Sequence, residues 1–153
     1  MEEMREALEA RFGCYFTVPG KPRGKGRPRF RRAGNFVQTY TPTETASYEN
    51  LIALEYQAAG GKLLEGPVEV YVAAWYPIPK NLSKVKRADM DRGMYIPHSK
   101  PDADNVLKAV LDGLNGVAYK DDTQVCFASI CRYYSDNPRL TVQVETCKGR
   151  FLK

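Results

Sequence analysis

The sequence predicts an α+β domain: a mixed β-sheet with helices packed on it, in the order β(β)αβααββ. Segments of period-two alternation fall near the start, middle and end of the chain. Segments with helical periodicity or punctuation lie between them, and no repeat or linker divides the 153 residues. A chain of this length is most simply one domain, residues 1–153, able to bury a core without staples.

The elements follow in order. In MEEMREALEARFG, Met4, Leu8 and Phe12 recur every four residues, which predicts a short amphipathic helix in an N-terminal extension, residues 1–12. That stretch is acidic and lacks an apolar signal-peptide core, so no secretory sorting is expected. CYFTV, residues 14–18, is β-branched and aromatic and predicts a strand. GKPRGKGRPRFRRAG, residues 20–34, is interrupted by Gly and Pro and is expected to be irregular. FVQTY, residues 36–40, predicts a second short strand. A helix is then punctuated by Thr41 as N-cap, Pro42 at the first position, Glu44 closing a capping box, and Gly60 and Gly61 after Ala59. PVEVYVAAWYP, residues 67–77, is apolar on both faces of a strand, which predicts a central place in the sheet. Residues 81–92 predict a polar helix and PHSKP a loop, where the lone His98 is incidental. Residues 104–115 predict a helix with Val106, Leu107, Val110, Leu111 and Leu114 on one stripe, ended by Gly116. QVCFASICRYY and RLTVQVET predict two strands joined by SDNP, the last with one wet face opposite Leu140, Val142 and Val144.

Cys14, Cys126, Cys131 and Cys147 include no CxxC pair. In a regular strand Cys126 and Cys131 point to opposite faces, which disfavours a shared zinc, and all four are expected to be buried free thiols in a reducing cytosol. The net charge of +5 and pI near 9.0 call for a polyanionic partner, either nucleic acid or an anionic membrane surface. No run approaches the roughly 18 apolar residues of a membrane span. Lys21, Arg23, Lys25, Arg27, Arg29, Arg31 and Arg32 stand in one segment without an acid, and DNA contact explains them better than solubility alone. The glycine spacing is not that of a P-loop, and no Ser or Thr follows the lysine. Phe30 and Phe36 flank these cations, as base-stacking residues or as core. Asp89 and Asp91, with Arg87 four residues before the second, read as a solvent-facing helix pair rather than metal ligands.

The chemistry is concentrated in KPDADNVLKAVLDGLNGVAYKDD, residues 100–122, where Asp102, Asp104, Asp112, Asp121 and Asp122 gather around one helix. Asp104, Lys108 and Asp112 are spaced by four and share a face. Caps and turns account for each acid singly. Two carboxylates about 5 Å apart, however, repel by about 3 kcal/mol at an effective dielectric near 20, and a cation reverses that penalty. Oxygen donors without His or Cys favour Mg²⁺ or Mn²⁺ over zinc, and such a cation is a common device for phosphodiester hydrolysis. Lys108 would add positive charge at the phosphoryl group or orient a carboxylate. A joint site requires residues 116–119 to run back along the helix and bring Asp122 beside Asp104, and that is the expected path.

KPDADNVLKAVLDGLNGVAYKDDTQV closely resembles the signature of the RusA family of Holliday junction resolvases: D-x-D-N, a Lys four after the second Asp, a D-[AG]-L-N-G-like turn, then an aromatic and D-D-x-Q. Asp102, Asp104, Asn105, Lys108, Asp112 to Gly116, Tyr119, Asp121, Asp122 and Gln124 carry it, with a K-G-R-P-R opening upstream. The likeness spans roughly residues 14–146. It implies that Asp102, Asp104 and Asp122 hold a metal and that Lys108 is essential, with Asp121 a supporting acid behind them. It also implies a Mg²⁺-dependent homodimer that resolves four-way DNA junctions by paired nicks. A two-fold substrate independently argues for a C₂ dimer, because the chain supplies one acid cluster. The extension before residue 13 and the polar segment 79–98 depart from the family pattern. The expected protein is thus a cytoplasmic, nucleoid-associated endodeoxyribonuclease acting on branched DNA and leaving 5′-phosphate ends. The alternative is a basic nucleic-acid-binding module without catalysis. A haloacid dehalogenase-type phosphatase needs an apolar strand before the first Asp, and IPHSKP is not one.

Overall fold

The computed structural model describes residues 13–26, 29–40 and 43–147. Its main sheet comprises β1 (Cys14–Pro19), β4 (Val68–Pro77), β5 (Val125–Ser135) and β6 (Arg139–Thr146), in the order β1-β6-β4-β5. β6 runs antiparallel to both β1 and β4, whereas β4 and β5 are parallel, so the sheet is mixed as expected. β2 (Arg29–Ala33) and β3 (Phe36–Tyr40) form a separate antiparallel hairpin. Among the described residues three α-helices accompany them: α1 (Thr43–Ala58), α2 (Lys84–Asp91) and α3 (Ala103–Leu114). Parallel neighbours require a long crossover, and α2 and α3 supply it between β4 and β5. The expected N-terminal helix, with Met4, Leu8 and Phe12, lies outside the described residues, as do Thr41 and Pro42 at the predicted cap.

The core forms on one sheet face. Alternation in β4 and β6 turns Val68, Val70, Val72, Ala74, Leu140, Val142 and Val144 inward, where Phe16 and Val18 of β1 join them. α1 contributes Tyr48, Ile52 and Tyr56, and α3 contributes Val106, Ala109, Val110 and Leu114. The α3 residues lie at the i, i+3, i+4, i+8 positions of one helical stripe. The two helices approach closely because Gly113 has no side chain. A Cβ there would stand 3.0 Å from the Glu49 carbonyl oxygen and 3.0 Å from Ile52 Cβ. The opposite sheet face carries Tyr15, Glu69, Tyr71, Trp75, Phe127, Tyr133 and Gln143, with Trp75 stacked on Tyr133.

Four expectations are corrected. The segment 20–34 is not irregular throughout, because Arg29–Ala33 is a strand closed onto Phe36–Tyr40 by a two-residue turn. Gly34 takes φ 62 in that turn, a conformation a glycine adopts without strain. Phe30 and Phe36 on the hairpin are both exposed, so neither belongs to the core. Arg87 pairs with Asp136 at 2.9 Å in the β5–β6 turn rather than with Asp91. The cysteines differ most. Cys14 is buried, but Cys126 and Cys131 are exposed. Val68 pairs with Val125 and Glu69 with Phe127, leaving Cys126 as the extra residue of a β-bulge. One inserted residue reverses the alternation, so Cys126, Phe127 and Cys131 all reach the open face.

Candidate nuclease site

α3 positions most of the acidic motif. Asp102 is its N-cap residue and Asp104 lies in the first turn, both exposed. The Asp102 side chain makes no capping hydrogen bond, so its carboxylate is not committed to the helix. Carboxylates at a helix start are favoured by the helix dipole. Tyr76 on β4 donates to the Pro101 carbonyl at 3.0 Å, and Arg132 on β5 donates to the Ser99 carbonyl. The segment entering the motif is thereby pinned to the ends of two parallel strands. Burial raises the Tyr76 pKa, Arg132 opposes this, and the Asp102 charge adds to it.

At the other end, Gly116 adopts φ 86 and its amide donates to the Tyr119 carbonyl at 2.8 Å, folding the chain back. Tyr119 is fully buried and its hydroxyl donates to the Leu111 carbonyl at 2.6 Å, inside the last turns of α3. Asp121 accepts from the Thr123 amide at 2.9 Å and so caps a short 3₁₀ turn, Asp122–Gln124. Gln124 brackets that turn. Its amide oxygen accepts from the Lys120 amide at 2.9 Å, and its nitrogen donates to the carbonyls of Leu64 and Gly66 at 3.1 and 3.0 Å. The D-D-x-Q pattern is therefore a structural clamp around Asp122 as well as a source of acids.

Asp122 is held above the ordinary carboxylate range, first by its hydrogen bond with Asp121, then by desolvation and the charges of Asp121 and Asp112. Lys108 pulls it the other way. Hydrogen bonding to Thr123 holds Asp121 below that range. The return after α3 thus brings Asp122 into the field of Lys108 and Asp112. Lys108 also shares the helix face of Asp104, one turn earlier, and so stands between the two groups of acids. Among the described residues, the carboxylate oxygens of Asp102, Asp104 and Asp122 do not all lie within 4.8 Å of one another.

The basic arm crosses this helix. Lys25 N donates to the Asn105 carbonyl at 3.1 Å, and a Cβ on Gly24 would stand 2.9 Å from Pro101 Cβ and 3.0 Å from Asn105 Cβ. Glycine is what lets the arm lie this close. The Lys25 ammonium makes a close ion pair with Asp112 and stands 3.9 Å from Glu49 Oε1 on α1. Its pKa is raised, first by the Asp112 hydrogen bond, against desolvation, with the charges of Asp112, Glu49 and Asp122 adding. Lys25 is therefore an internal cation joining the arm, α1 and α3. Lys21, Arg23, Arg29, Arg31 and Arg32 are exposed, and among the described residues none of them is in a salt bridge. Arg27 lies outside the described residues. Sequence reasoning missed Glu49 and the Lys25–Asp112 pair, whose partners are 87 positions apart.

Exposed acids and a lysine on one helix thus stand beside a cationic arm laid over the start of that helix. The family model for endodeoxyribonuclease RusA matches residues 19–145, and the chain belongs to that family. Uncharacterized protein YqaN of Bacillus subtilis (strain 168) is 36% identical over 132 residues, covering 84% of this chain and 93% of the relative. Family membership indicates an endodeoxyribonuclease. Among the described residues no helix is long and apolar enough to cross a membrane.

Proposed function

We propose that this protein is a divalent-cation-dependent nuclease that resolves Holliday junctions in DNA recombination and repair. The observation that carries the reading is the hydrogen bond from Lys25 N to the Asn105 carbonyl at 3.1 Å. It sets the DNA-gripping segment directly against the helix turn that bears Asp102 and Asp104, so a strand held by the arm passes the acids.

Asp102, Asp104 and Asp122 would hold Mg²⁺, with Mn²⁺ as a substitute. The donor set fits: all oxygen, exposed, and brought from two elements. Magnesium retains several waters and is commonly bound through one or two carboxylates, so the three acids need not all touch it. The ion supplies charge neutralisation and activation of the attacking water. Lys108 directs positive charge toward the scissile phosphate, and Asp121 and Gln124 hold the turn carrying Asp122. The exposed cations Lys21, Arg23, Arg29, Arg31 and Arg32, with Arg27, contact phosphates. Cleavage leaves 5′-phosphate and 3′-hydroxyl ends.

A four-way junction has two equivalent strands to cut, so the active form is a C₂ homodimer, and it acts on branched DNA in the cytoplasm, at the nucleoid. The aromatic sheet face with Tyr15, Tyr71, Trp75 and Tyr133 is a surface suited to such pairing. A monomer in sedimentation at assay concentrations would remove this part.

The deciding experiment is cleavage of a synthetic four-way junction with Mg²⁺, with chelator, and by Asp104→Asn. Paired nicks that need the metal are expected, with Asp104→Asn inactive yet binding the junction and at least as stable as the parent without metal. Binding without cleavage by the parent would mark a non-catalytic module. Full cleavage by the variant would remove Asp104 from the site.

A further inference from the structure

A second group of metal-ligand side chains lies at one end of the open sheet face, away from α3. The Glu69 carboxylate and the Cys126 and Cys147 sulfurs each present a ligand atom within 4.8 Å of the other two. Three elements deliver them. Glu69 belongs to β4, Cys126 is the bulged residue of β5, and Cys147 follows β6 with its amide donating to the Pro67 carbonyl at 2.8 Å. Bulges commonly re-aim a side chain, and without this one Cys126 would face the core.

We propose that Glu69, Cys126 and Cys147 form a zinc site that ties β5, β4 and β6 together, separate from the nuclease centre. Two sulfurs about 2.3 Å from a tetrahedral zinc stand about 3.8 Å apart, so the observed spacing needs little contraction. A disulfide fits worse. Cys126 in β5 and Cys147 just after β6 lie on opposite sides of β4, and two strand spacings are about 9–10 Å. A disulfide tolerates at most about 7 Å between Cα atoms. Thiolates select zinc over magnesium or manganese, so the two metal sites do not compete. Tyr71 donates to Glu69 Oε2 at 2.6 Å, which orients the carboxylate. Water completes the shell. Thiols must lose their protons to bind the ion, so zinc affinity should fall in acid.

The test uses the full chain, reduced and stripped of metal. Zinc is titrated against a chromophoric chelator, and cobalt is added in parallel to read thiolate-to-metal charge-transfer absorption. One equivalent per chain is expected, with a Tm rise of about 5–10 °C at a free zinc concentration a hundredfold above the Kd. Cys126→Ser and Cys147→Ser should weaken binding about a hundredfold or more and abolish the cobalt–thiolate bands, while Cys131→Ser, on the same face, leaves both intact. If either serine variant does not fold, Glu69→Gln keeps both thiols and should weaken binding while retaining the bands. Zinc uptake that is absent in the parent, or equally sensitive to Cys131→Ser, overturns the proposal. So does a Cys126–Cys147 disulfide formed under mild oxidant with no zinc bound beforehand.

Discussion

Replacing Lys25 by Met tests whether this residue is an internal cation rather than a member of the DNA-binding row. The substitution removes the charge between Asp112 and Glu49 and leaves two carboxylates facing each other. The 3.9 Å contact with Glu49 is worth about 4 kcal/mol gross at an effective dielectric near 20. Desolvation and solvent access reduce that: the Lys25, Glu49 and Asp112 side chains are 28%, 22% and 19% exposed. Exposed pairs contribute up to about 1 kcal/mol, and breaking buried ones costs about 3–5. A loss of about 2 kcal/mol is expected, or about 4–8 °C in Tm. Urea denaturation of Lys25→Met, Asp112→Asn and the double variant measures it, with a coupling of at least about 1 kcal/mol expected. The Lys25 pKa lies above its ordinary 10.5 in the folded protein. Its stabilisation is then complete below pH 10.5 and is lost only as pH rises through the higher folded value. Additive effects, a loss under about 0.5 kcal/mol, or a difference that vanishes between pH 7 and 9 would refute the assignment.

Neutralising Arg29, Arg31 and Arg32 together should weaken junction binding and flatten the slope of log affinity against log salt by about three, if each meets one phosphate. Gly113→Ala should destabilise the fold by about 1–3 kcal/mol in urea, despite the better helix propensity, because the new Cβ meets Glu49 and Ile52 at 3.0 Å. A neutral result would mean that α1 and α3 are not packed so tightly. Tyr119→Phe should cost about 1–3 kcal/mol and speed amide exchange at the end of α3, since the Leu111 carbonyl loses its 2.6 Å donor.

Much of the architecture was legible because it rests on local periodicity. The alternation of β4 and β6 and the stripe on α3 each fixed an element and its buried face. The hairpin strand Arg29–Ala33 was hidden because Gly and Pro nearby outweighed a short polar run whose partner is only a turn away. The bulge at Cys126 was hidden because a single inserted residue leaves no compositional trace, yet it reverses the facing of everything before it. The motif announced the acids and Lys108, but their mutual distance depends on a return loop packed by Tyr119 and Gln124. The Lys25–Asp112 pair depends on tertiary approach alone, and spacing carries no sign of it.

The Gly26 amide donates to Thr45 Oγ1 at 2.9 Å, so the middle of the basic arm and the first turn of α1 are clipped together at one neck. The β2–β3 hairpin is therefore inserted between two points of the backbone that are held together, as a loop closed by a drawstring. On the proposed reading, changes within the hairpin would alter the grip on DNA and leave this closure, and the acids on α3, where they are.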